Sequence, residues 1–283
     1  MTRKELELRE KANIERYVNH NRDACTDSIM ELYYRIPDVG GIFKSLYRYR
    51  PLNSYELESL KNGTIFMRWP SSYEDGEDCT PVFDFGEISK YIIEKKYPGF
   101  DSSELYERFV NIEDIKNNPK FAQKVNDMRN MWLIACFTER YDNQKMWMKY
   151  AQNENGICLV YNMKDILDTV KQNNMMSIMP VRYVENRSDC TDIMLNHIDL
   201  IDNRDETESK YFLTCTTKDK LKFSFEEEWR LIYEKENTDA NMIGESVPFI
   251  NPDIILCGSA IDKKSREYKE LLKIADDRGM KVI

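Results

Sequence analysis

The run Trp132-Leu133-Ile134-Ala135-Cys136-Phe137-Thr138 constrains this chain more than any other, because seven consecutive residues without a charge fit a strand covered on both faces. The residues after it define its neighbourhood. Asp142-Asn143-Gln144 is a helix-starting cluster, Lys145 to Ala151 carries the helix, Asn155-Gly156 ends it, and Ile157 to Tyr161 returns as a strand. Further strands are expected at Leu46–Arg50, Thr64–Met67, Arg182–Val184, Phe223–Tyr233, Val247–Ile250 and Ile254–Leu256. Helices are expected at Tyr55–Lys61, Ser209–Lys220 and Lys263–Asp277. The fold class that accommodates this order is α+β, with a mixed or antiparallel central sheet flanked by helices.

Two segments lie apart from that core. Residues 1–40 are charged and helical in pattern and end at Pro37, Gly40 and Gly41, which predicts an N-terminal helical appendage to a core domain over 41–283. Residues 88–128 read as a charged, solvated helical insertion, and residues 71–80 as a solvated acidic loop.

Composition excludes some classes. Aromatic residues make up 12% of the chain, too much ring surface for a disordered protein. A formal net charge of -9 argues against coating nucleic acid by bulk electrostatics, although 41 Lys and Arg leave room for a local basic groove. The opening stretch alternates charges without the apolar run of a secretion signal, and no stretch approaches membrane-spanning length, so a cytoplasmic protein with no membrane partner is expected. Seven cysteines, an odd number with no C-x-x-C spacing, predict buried free thiols. With 2 histidines a histidine-based zinc site is not expected, while a magnesium site built on carboxylates stays open.

Chemistry concentrates in three places. In Phe225-Glu226-Glu227-Glu228-Trp229-Arg230, period-two alternation puts Phe225 and Trp229 on a packed side and Glu226, Glu228 and Arg230 together on the other. Such a group is either a solvated ion-paired face or a site. On the early strand, Arg48 and Arg50 share one face; they either pair with those carboxylates or present planar guanidinium groups to phosphate oxygens. In the helix after Asn143, Met146, Trp147 and Tyr150 form one stripe, which is either core packing or a ring that stacks on a base at a cleft edge. No glycine-rich phosphate loop and no histidine-based nucleophile context occurs.

Leu46-Tyr47-Arg48-Tyr49-Arg50, Leu60-Lys61-Asn62-Gly63, Cys136-Phe137-Thr138, Met146-Trp147-Met148-Lys149-Tyr150-Ala151 and Glu226-Glu227-Glu228-Trp229-Arg230, in that order, resemble the uncharacterised bacterial proteins grouped as domain of unknown function 2971. The resemblance spans about residues 44–260. It departs where that family reads F-N-D-P-F-[DE]; here Tyr73-Glu74-Asp75-Gly76-Glu77-Asp78 stands, retaining Asp75. The family has no settled activity to carry over; more distantly, by analogy and not as a family match, the order of parts is similar to the ADP-ribosyltransferase plan. On that analogy the chain is an NAD-using transferase or NAD-cleaving enzyme, in a setting of bacterial conflict or phage defence. Arg48 would anchor NAD, Tyr150 would stack on it, Glu228 would stabilise charge at the ribose and Glu226 would position the acceptor, with Arg50, Trp147 and Arg230 completing the ligand-contacting set. Two rivals stand beside it. One is a magnesium-dependent nuclease or phosphoesterase using Glu226, Glu228 and an aspartate such as Asp75, and the other is a non-catalytic nucleotide-binding sensor or adaptor.

Overall fold

The computed structural model describes residues 45–74, 76–99, 116–187, 189–199, 204–235, 237, 239 and 242–283. The expected appendage over 1–40 and Asp75 lie outside them. In chain order the elements are β1 (Ser45–Arg50), α1 (Ser54–Asn62), β2 (Thr64–Arg68), α2 (Phe85–Lys96), α3 (Pro119–Arg129), β3 (Trp132–Thr138), α4 (Gln144–Tyr150), β4 (Ile157–Asn162), α5 (Met163–Gln172), β5 (Met176–Pro180), β6 (Arg182–Val184), α6 (Thr191–Ile198), α7 (Arg204–Cys215), β7 (Thr217–Asp219), α8 (Lys220–Phe223), β8 (Glu228–Glu234), β9 (Gly244–Pro248), β10 (Ile254–Cys257), α9 (Arg266–Arg278) and β11 (Lys281–Val282).

The fold is α+β, as expected. Its sheet runs β11-β10-β4-β1-β3-β2-β9, with β8 on the remaining edge of β3 and β5 beyond β8. All of these pairings are antiparallel except β10 with β11, and β6 and β7 form a separate parallel pair. Among the described residues, no helix is long and apolar enough to cross a membrane.

Local signals explain the ends of the elements. The Asn53 side chain accepts from Glu56 N at the start of α1, and Gly63 closes that helix at φ 64. Asn143 caps α4 through Lys145 N and Met146 N, and Gly279 ends α9 at φ 70. Leu57 and Leu60 of α1, Ile166, Leu167 and Val170 of α5, and Leu271 and Ile274 of α9 bury their apolar sides in the main core. The opposite side of β1 carries a smaller cluster of Tyr49, Met146, Ala151 and Cys158.

Three expectations need correcting. Helix α7 stops at Cys215 rather than Lys220, because the Thr216 and Thr217 hydroxyls donate to the Phe212 and Leu213 carbonyls and leave the chain extended as β7. The insertion is not simply solvated: Ile88 and Phe121 pack with Met194 of α6, and Met128 enters the main core. Finally α5 and β5, over a stretch assigned no structure from sequence, carry a buried amphipathic stripe and a fully buried strand.

The turn from α4 into β4 is tight. Gln152, Asn153 and Glu154 have φ of 50, 54 and 64, and a Cβ on Gly156 would lie 2.3 Å from the Arg50 carbonyl oxygen. Gly156→Ala therefore forces backbone apart between β1 and α4, at a cost of roughly 1–3 kcal/mol. Thermal melts should show a clear loss, and an unchanged melting temperature would contradict this packing.

Candidate functional site

The sheet is split at β3. One edge of β3 is zipped to β8 from Trp132↔Glu234 through Thr138↔Glu228. The other is touched by β1 only at Tyr47↔Thr138 and by β2 only at Arg68↔Ile134. Between those two points the edge has no strand partner among the described residues. A cavity of about 390 Å³ opens there, with Ile134, Ala135, Cys136 and Phe137 on its wall.

Arg48 crosses the gap between β1 and β2. Its Nη2 donates to the Phe66 carbonyl at 2.8 Å, and its guanidinium lies 6.0 Å from the centre of the Phe137 ring. The residue is 7% exposed and, among the described residues, forms no ion pair with a carboxylate. Burial and then the neighbouring Arg50 charge disfavour its protonated form and lower its pKa, outweighing the opposing effect of Glu56, so the wall carries a buried cation without a carboxylate in contact with it. Arg50 donates through Nε to Glu56 Oε2 at 2.6 Å, and Arg68 lies over the Tyr73 ring. All three arginines line the cavity.

Facing them is a buried cluster of charges. Lys218 Nζ is 2.7 Å from Glu228 Oε2, 2.8 Å from Glu226 Oε2 and 3.3 Å from Asp78 Oδ2. Arg230, at 0% exposure, donates through Nε to Glu228 Oε1, through Nη2 to both Asp78 oxygens, and through Nη1 to the Cys215 carbonyl and Cys79 Sγ. Burial alone would raise the Asp78 and Glu228 carboxyls, but Arg230 and Lys218 outweigh it and hold both below their usual range. Burial likewise opposes the Lys218 charge, and Glu228 and Asp78 outweigh it. Asp78, Glu228, Lys218 and Arg230 therefore hold one another in their charged forms. Tyr150 donates its hydroxyl to Glu226 Oε1 at 2.5 Å, and Lys149 reaches the same oxygen at 3.0 Å.

The residues singled out from sequence fall as follows. Arg48, Arg50, Tyr150, Glu226 and Glu228 all line this one cavity. Neither Arg48 nor Arg50 is ion-paired to either glutamate among the described residues; the glutamates take Lys218, Arg230 and Lys149 instead. Arg230 lies beneath the cavity, its donors committed to the cluster. Trp147 packs edge-on against Tyr49, with ring centres 5.0 Å apart, and donates to the Tyr141 carbonyl, so it supports β1 from behind.

The period-two reading of Phe225 to Arg230 is wrong at its start. Ser224–Glu226 is a 3-10 turn and Glu227 is left-handed at φ 42, so the strand begins at Glu228. The turn aims Glu226 and Glu228 at one ammonium, and it leaves Phe225 half-buried at the surface instead of packed under a sheet. The face bearing Glu228 and Arg230 is not solvated, because Asp78, Cys79, Cys215 and Lys218 close over it. Cys136 also departs from expectation. It is exposed on the cavity wall.

Sequence reasoning passed over Lys218, Asp78 and Lys149. Lys218 falls in a segment read as helix and Asp78 in a loop read as solvated. One usable signal was present: two glutamates beside a buried tryptophan require a cation, and a single arginine on the same strand does not neutralise both.

A split antiparallel sheet with a buried ionic cluster on one side of the opening and arginines on the other defines an α+β domain built around one polar cavity. Residues 146–231 match the family model described as Protein of unknown function (DUF2971), which bears out the resemblance over that segment. The segment runs from α4 into β8 and supplies Lys149, Tyr150, Lys218, Glu226 and Glu228, whereas Arg48, Arg50 and Asp78 lie before it. No curated protein and no solved structure matches the chain.

Proposed function

We propose that the cavity binds NAD or a closely related nucleotide and cleaves its nicotinamide–ribose bond, passing the ADP-ribosyl group to water or to an acceptor. The observation that carries this reading is the polarity of one cavity. Arg48, Arg50 and Arg68 stand on one side, where phosphate oxygens would be held, and the carboxyl groups of Glu228 and Glu226, gathered about Lys218, stand on the other. Tyr47, Tyr49, Phe66, Tyr73, Phe137 and Tyr150 supply ring surface between them. The volume of about 390 Å³ lies within the usual range for small-molecule sites, roughly 300–1,000 Å³.

In this reaction the C–N bond breaks with its electron pair leaving on nicotinamide, and the ribose carbon takes an oxygen or nitrogen of the acceptor. Positive charge moves onto the ribose as this happens. A fixed carboxylate beside that position stabilises the transition state more than the ground state. The magnesium-dependent reading is weaker, since Asp78, Glu226 and Glu228 already converge on the Lys218 ammonium, which holds the centre a divalent ion would need.

The test is nicotinamide release from NAD by the purified protein, with and without added acceptors. Release that falls when Arg50→Ala removes one guanidinium, with KM raised about tenfold, supports the reading. Nucleotide binding without release supports a sensor instead, and nucleic-acid cleavage with magnesium supports the phosphoesterase.

A further inference from the structure

Lys149 stands where the cavity meets the surface. Its ammonium lies 3.0 Å from Glu226 Oε1, and 4.8, 5.6 and 5.7 Å from the ring centres of Tyr150, Phe223 and Phe225. The same side chain lines both the inner cavity and a shallow outer groove formed with Gln144, Lys145, Met148 and Phe225. It is the partition between them.

Three rings and a carboxylate around one ammonium are the elements with which proteins hold organic cations. Here the surround is fixed and the occupant is not. Glu226, 3% exposed, is held by Lys218 at 2.8 Å and by the Tyr150 hydroxyl at 2.5 Å. The Phe225 backbone is tied down by the Asn143 side chain, which donates to its carbonyl at 2.6 Å. Lys149, by contrast, is 47% exposed on a flexible stem, and its ammonium can return to water by rotation about side-chain bonds.

We propose that Tyr150, Phe223, Phe225 and Glu226 form a receptor for a flat organic cation of the pyridinium type, and that Lys149 is a resident stand-in which leaves when the ligand docks. The inference deepens the reading of the cavity given above, since the nicotinamide ring of NAD is such a cation, but it needs no turnover to be tested. Lys218 also lies 4.8 Å from the Phe223 ring centre and Lys145 5.2 Å from that of Phe225, so removing Lys149 vacates only the position between Tyr150 and Glu226 Oε1; affinity for a cation should rise there while affinity for a neutral ring of the same shape should not.

The experiment is calorimetric titration of the full chain with the N-methylnicotinamide cation and with uncharged nicotinamide. It uses wild type, Lys149→Met and Phe225→Leu, with melts confirming that each is folded. The expected result is about tenfold tighter cation binding by Lys149→Met, weaker cation binding by Phe225→Leu, and no change for nicotinamide in either. Unchanged or weaker cation binding by Lys149→Met, an equal gain for the neutral ring, or no binding of the cation to any variant overturns the proposal. Nicotinamide release from NAD with no preference for the cation would leave the reading of the reaction standing and remove this one. Cation binding without any release would do the reverse.

Discussion

Glu228→Gln should slow nicotinamide release by about a hundredfold or more. The amide preserves the shape of the side chain but carries no charge opposite the ribose as the bond to nicotinamide breaks, so the loss falls on kcat more than on KM. The substitution also disturbs the fold, which the sequence pattern alone does not suggest. Glu228 accepts from Arg230 Nε at 2.8 Å and lies 2.7 Å from Lys218, so glutamine leaves two buried cations with one fewer carboxylate. A lower melting temperature is therefore expected alongside the kinetic loss. Rates are to be compared well below that temperature. Nicotinamide release by a folded Glu228→Gln protein at the wild-type rate would exclude Glu228 as the charge-stabilising group.

Lys218→Met is expected to have the largest effect on stability. The ammonium is the shared counter-charge of Asp78, Glu226 and Glu228, and the lysine side chain is 8% exposed. Removing one partner of a buried ionic group typically costs about 3–5 kcal/mol, because the groups left behind are neither solvated nor paired. The deficit should depend on pH with a definite sign. In wild type the Asp78 and Glu228 carboxyls lie below their ordinary values of 3.8 and 4.5. Their contribution is present above those values, nearly constant from pH 5 to 8, and lost only in stronger acid. Without the ammonium, Arg230 is the counter-charge left to both carboxyls, and their pKa values in the folded protein rise from the wild-type level. A carboxyl whose folded pKa is less depressed contributes less stability once it is ionised and costs nothing relative to wild type in acid strong enough to protonate both. Denaturant unfolding at pH 3 and pH 7 should therefore show the gap between variant and wild type widening with pH. A pH-independent gap, or one that narrows, would mean that Lys218 acts by packing and not by charge.

These expectations depend on contacts that local sequence patterns do not reveal. Caps such as Asn53, Asn143, Gly63 and Gly279 act within a turn of their own residues, so α1, α4 and α9 were readable, as was the uncharged run of β3. Arg48, Arg50, Tyr150, Glu226 and Glu228 stood out because charge or ring surface beside strand patterning is unusual, and the split sheet places all five around one cavity. Lys218 and Asp78 were not readable. Arg230 and Asp78 are 152 residues apart along the chain, and nothing local marks Asp78 among the acids of its loop as the one that turns inward. The kink at Glu227 was hidden for a different reason. Period-two alternation assumes extended backbone at every residue, and one left-handed residue moves Glu226 off the strand while keeping it beside Glu228.

On the proposed reading Arg48, a buried cation that forms no ion pair among the described residues, holds the nucleotide in the cavity at β3. Calorimetric titration of wild type and Arg48→Ala with NAD tests it most directly, with melts to show that the variant is folded. Saturable binding of one NAD per chain to wild type is expected, weakened at least about tenfold by Arg48→Ala. Absence of NAD binding to wild type, or equal binding by a folded Arg48→Ala protein, would contradict it.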